Sequence, residues 1–72
     1  MSYAKLHKII NLREQEEYDE CIKEIASYST ILGMEIPEWI KNFSDFSEDE
    51  KNKKISDWLI EANNRAVAIN MW

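Results

Sequence analysis

The sequence predicts an all-α protein, a small bundle of three to four helices, and three observations carry that prediction. Apolar residues recur at spacings of three and four along most of the chain. Gly33 and Pro37 are the only glycine and proline, whereas short strands joined by tight turns need many such residues. A composition of 44% hydrophobic and 32% charged residues in 72 suits one packed core and leaves room for a single helical domain over 1–72.

The first helix is expected over 2–11, where Tyr3, Leu6, Ile9 and Ile10 share a face. A second stripe of Tyr18, Cys21, Ile22, Ile25, Tyr28, Ser29 and Leu32 predicts a helix over 12–32. The two stripes lie about 100° apart on one straight helix. A kink or turn is therefore placed near Asn11, with Asn11 and Glu14 read as a capping pair. Gly33 should close the second helix, because glycine takes the left-handed conformation at little cost.

Pro37 then opens a short helix over 37–43, with Trp39, Ile40 and Phe43 as a hydrophobic plug. Ser47 and Glu50 form a capping box, the clearest boundary in the chain, so the last helix is expected over 48–70. Its core stripe is Ile55, Trp58, Leu59, Ala62, Ala66 and Ile69, with Glu61 and Arg65 as a supporting pair. Trp39 and Trp58 are expected to anchor the core and Trp72 to be exposed.

The residues argue against chemistry. His7 and Cys21 are the only histidine and cysteine, too few for a zinc site, and no window has the alternating acids and glycine of a calcium loop. On a continuous helix His7 and Cys21 would stand about 21 Å apart, out of reach as base and nucleophile. Cys21 falls on an apolar stripe and reads as a small buried hydrophobe. Without a phosphate-cradling glycine loop, the expectation is a protein that is not an enzyme and carries no metal, cofactor or catalytic residue.

The lone cysteine precludes an internal disulfide, and no apolar run is long enough to span a membrane. A cytoplasmic protein is expected. The formal charge of -5 is blocked: +3 over residues 1–13, -5 over 14–25, then acids from Glu35 to Glu50 ahead of Lys51, Lys53 and Lys54. A net acidic chain argues against direct nucleic-acid binding, and the basic first helix reads as core packing rather than a membrane anchor.

Two partner readings follow. On the last helix Ile60, Val67 and Met71 lie roughly opposite Trp58 and Leu59, so this helix is apolar on two sides. Either the other helices wrap it, or Ile60, Val67, Met71 and Trp72 dock a protein partner or a second copy in a homodimer. In the alternative, Glu16, Glu17, Glu20, Glu48 and Asp49 imitate phosphates and block a basic nucleic-acid-binding site on another protein. In size and charge alone such a chain resembles the acidic accessory proteins of bacteriophages; no motif carries that likeness.

Overall fold

The computed structural model describes residues 2–69, with side chains from Leu6 onward. Four helical elements follow one another: α1 (Ser2–Glu14), α2 (Tyr18–Leu32), a 3-10 segment η1 (Glu38–Asp45) and α3 (Glu48–Ala68). The fold is an all-α bundle, and no strand occurs among the described residues. Met71 and Trp72 lie outside the described residues, as does the Tyr3 side chain.

Helix α1 runs through Asn11 instead of breaking there, so Asn11 and Glu14 are not a capping pair. Leu6 and Ile9 are buried and Leu12 packs on the same core, so the apolar spacing of three continues past Asn11. The reversal comes at 15–17. Glu17 N–H donates to the Leu12 carbonyl at 3.0 Å and Glu16 N–H to the Arg13 carbonyl at 3.1 Å, with Glu16 at φ +59°. That is a Schellman closure with glutamate where glycine is usual.

Helix α2 ends by the same device. Met34 N–H donates to the Ser29 carbonyl at 2.8 Å and Gly33 N–H to the Thr30 carbonyl at 3.1 Å, with Gly33 at φ +73°. The expected stripe faces inward: Cys21, Ile25, Tyr28, Ser29 and Leu32 are buried, and Tyr18 and Ile22 pack at its edge.

The short segment after Pro37 is a 3-10 helix that begins one residue later and ends two residues later than expected, interrupted at Asn42. Ile40, Phe43 and Phe46 are spaced by three, the repeat of a 3-10 turn, and all join the core cluster with Phe43 fully inside. The Phe43 ring stands 5.8 Å from Trp39, 5.9 Å from Tyr18 and 6.4 Å from Phe46, so this plug fastens α2 to the start of α3.

The Ser47 hydroxyl caps α3 by accepting the Glu50 amide at 3.3 Å. Ile55, Trp58, Ala62 and Ala66 are buried with Leu59 packed beside them, whereas Ile69, expected in the same stripe, caps the helix end and is 37% exposed. No ion pair joins Glu61 to Arg65. The Arg65 Nε instead donates to the Leu32 carbonyl at 3.0 Å, filling one of the acceptors left open at the end of α2. A buried relay ties α2 to α3: Trp58 Nε1 donates to Ser29 Oγ at 3.1 Å, and Ser29 Oγ donates to the Ile25 carbonyl at 2.7 Å.

Candidate functional site

Helix α3 is buried along one stripe and open on both flanks. On one flank Ile60 is 62% and Val67 55% exposed, one heptad apart with the uncharged Asn63 and Asn64 between them. Helix α1 adds to this surface in a way the sequence did not suggest. Leu6, His7 and Ile10 line a shallow apolar depression of about 300 Å³ with Leu59, Ile60 and Asn63. Among the described residues no Asp, Glu, Lys or Arg side chain lines that depression. Of the four residues expected to dock a partner, Ile60 and Val67 are thus exposed on the same flank, while Met71 and Trp72 fall outside the described residues.

The acidic residues form a second feature. The Schellman turn after α1 and the N-terminus of α3 meet, so Glu16 and Glu48, distant in sequence, become neighbours. They line a depression of about 370 Å³ with Arg13, Glu14, Tyr18 and Asn52. A hydrogen bond between the Glu16 and Glu48 carboxyls, reinforced by the Glu48 charge, raises the Glu16 pKa above its ordinary value. The Tyr18 hydroxyl lies 3.3 Å from Asn52 Oδ1 and 3.4 Å from Glu48 Oε1, so two acceptors compete for one proton. Burial raises the Tyr18 pKa, and the neighbouring carboxylates add to that. Glu17 and Asp49 are exposed beside this pair, and Glu20 is turned to Lys23 at 3.6 Å.

Four of the described basic side chains are engaged by neighbours within the bundle. Lys8 pairs with Glu24 at 3.3 Å and Arg13 donates to Ser56 Oγ. The Lys51 ammonium sits 5.3 Å over the Tyr18 ring and that of Lys54 5.5 Å over Phe46.

Cys21 is fully buried, and its thiol donates to the Ile9 carbonyl at 3.7 Å. Burial pushes its pKa up to about 11, against a weaker opposing pull from Arg13. A thiol held protonated in apolar surroundings is a poor nucleophile. His7 is exposed beside Ile10, whereas the thiol is enclosed in the core. Among the described residues no three His, Cys, Asp or Glu side chains cluster as a metal site would need, and no helix is long and apolar enough to cross a membrane.

Compared with known proteins, the chain matches no family model, no curated protein and no solved structure.

Proposed function

We propose that this chain is a small acidic protein-interaction module of the cytoplasm, working by binding rather than catalysis, without direct contact to nucleic acid. It docks a protein partner or a second copy of itself through the apolar flank of α3. The observation that carries this reading is the exposure of Ile60 and Val67 beside an apolar depression. Covering such side chains stabilises a complex by roughly 25 cal/mol per Å² removed from water. Met71 and Trp72 extend the same proposal by their place in the sequence.

The test is solution mass by light scattering across a wide concentration range, for wild type and an Ile60→Asp, Val67→Asp variant. A dimer near twice 8.6 kDa that the variant loses is the expected result for self-association. If wild type stays a monomer, the two proteins are compared as baits: a partner retained only by wild type supports docking. Identical capture by both overturns the reading.

The junction of Glu16 with Glu48 favours a second reading, the acidic inhibitor, because it unites the two acidic stretches into one surface. On that reading Glu16, Glu17, Glu20, Glu48 and Asp49 occupy a basic nucleic-acid-binding site. Binding to such a target would fall steeply with salt and be abolished by Glu16→Gln, Glu17→Gln, Glu20→Gln, whereas the apolar flank would be indifferent to both.

A further inference from the structure

The segment between α2 and η1 runs without helix or strand from the Gly33 turn to Pro37, anchored at its start by the Arg65 bond to the Leu32 carbonyl. Between this segment and α3 lies a groove of about 590 Å³. Its apolar lining includes half-buried Met34 and Trp39, buried Trp58, and Ile36, which is 51% exposed. Four exposed carboxylates, Glu35, Glu38, Asp57 and Glu61, line the same groove against two cations. Both cations are engaged internally, Arg65 by the Leu32 carbonyl and Lys54 over the Phe46 ring. None of the four carboxylates has an ion-pair or hydrogen-bond partner among the described residues.

We propose that this groove docks a short extended peptide segment of a partner protein in which an arginine or lysine stands beside an apolar residue. The apolar residue covers Ile36, Met34 and Trp39. The cation meets the carboxylates and stacks on the Trp39 ring, which favours a guanidinium because it is weakly hydrated and presents forked donors. An acidic peptide or a nucleic acid would meet like charge, and a neutral apolar peptide would desolvate carboxylates without pairing them. At about 100° per residue, Lys54, Asp57, Glu61 and Arg65 lie on the flank of α3 across the buried stripe from Ile60 and Val67, so this site is separate from the apolar docking surface.

The experiment is an NMR titration of the isotope-labelled protein with a blocked Leu-Arg-Leu-Arg-Leu peptide and its Leu-Glu-Leu-Glu-Leu counterpart. The arginine peptide is expected to shift the Trp39 indole and the backbone amides of residues 33–36, 38 and 39 saturably, while the glutamate peptide leaves them in place. Asp57→Asn with Glu61→Gln, both at exposed positions, should weaken binding about tenfold, the effect of losing two partly exposed ion pairs. Ile60→Asp with Val67→Asp should leave the affinity unchanged, which separates failure of this site from failure of the apolar flank. Absence of saturation, equal binding of the glutamate peptide, or unaltered affinity in the Asp57 and Glu61 variant would overturn the proposal. So would an equal loss on Glu16→Gln with Glu48→Gln, which would reveal diffuse charge attraction.

Discussion

At Glu16 the backbone takes φ +59°, where a Cβ crowds the following carbonyl, and the side chain faces a second carboxylate. Both effects disfavour the native state at neutral pH. Glu16→Gly removes both and should raise the urea midpoint; Glu16→Gln removes only the charge. Because the folded pKa is raised, the native state binds more protons than the unfolded state between the ordinary 4.5 and the folded value. Stability from this group therefore falls as pH rises through that window, and the Gln variant should lose that slope in urea titrations at successive pH values. Buried polar atoms set the other residue-scale costs. Ser29→Ala would strand the Trp58 indole N–H and should cost about 1–3 kcal/mol, but less in a Trp58→Phe background, where nothing is stranded. The Tyr28 hydroxyl is buried without a hydrogen-bond partner among the described residues, so Tyr28→Phe should be neutral or stabilising by up to about 1 kcal/mol in the same assay.

Helices α1 and α2 close with the same pair of backbone bonds, yet only the second closure was legible in the sequence. Gly33 announces a left-handed residue; glutamate at position 16 does not. The pairing of Asn11 with Glu14 suggested a cap, but tertiary burial of Ile9 with Leu12 packed alongside holds α1 helical through that point. Likewise the i,i+4 spacing of Glu61 and Arg65 suggested a pair, whereas the open carbonyl of Leu32 claims the guanidinium. A Cβ at Gly33 would lie 3.3 Å from the Arg65 Nη2. Gly33→Ala should therefore destabilise by about 1–2 kcal/mol through backbone strain, and should also disturb the groove beside it. Thermal unfolding reports the first effect and the Trp39 indole resonance the second.

For the whole molecule, the contacts of α1 with both α2 and α3 bury Cys21 beneath the Ile9 carbonyl. Alkylation of this thiol requires the bundle to open, so at pH 8 its rate should be far below that of the urea-unfolded chain and rise in step with the unfolded population. If Cys21 labels at the unfolded rate in native buffer, the packing of α1 on α2 described above is wrong. Between pH 9.0 and about 11 the unfolded thiol loses its proton while the native one keeps it, so stability should decline with rising pH across that interval. Cys21→Ala should flatten that decline in urea titrations.

Local periodicity and punctuation determined the helical class, the inward stripe of α2, the stop at Gly33, the start at Ser47 and the apolar character of Ile60 and Val67. These depend on residues within a turn or two of one another, where the spacing of side chains about the helix axis is fixed by helical geometry. Tertiary structure decided the rest. It left Ile60 and Val67 uncovered, brought Leu6 and Ile10 into one depression with Ile60, joined Glu16 to Glu48, and opened a groove between the 33–39 segment and Asp57 and Glu61. Each of those outcomes depends on how one helix lies against another, which is set by side-chain packing in the core and by where the chain reverses, and periodicity along a single helix carries no record of either.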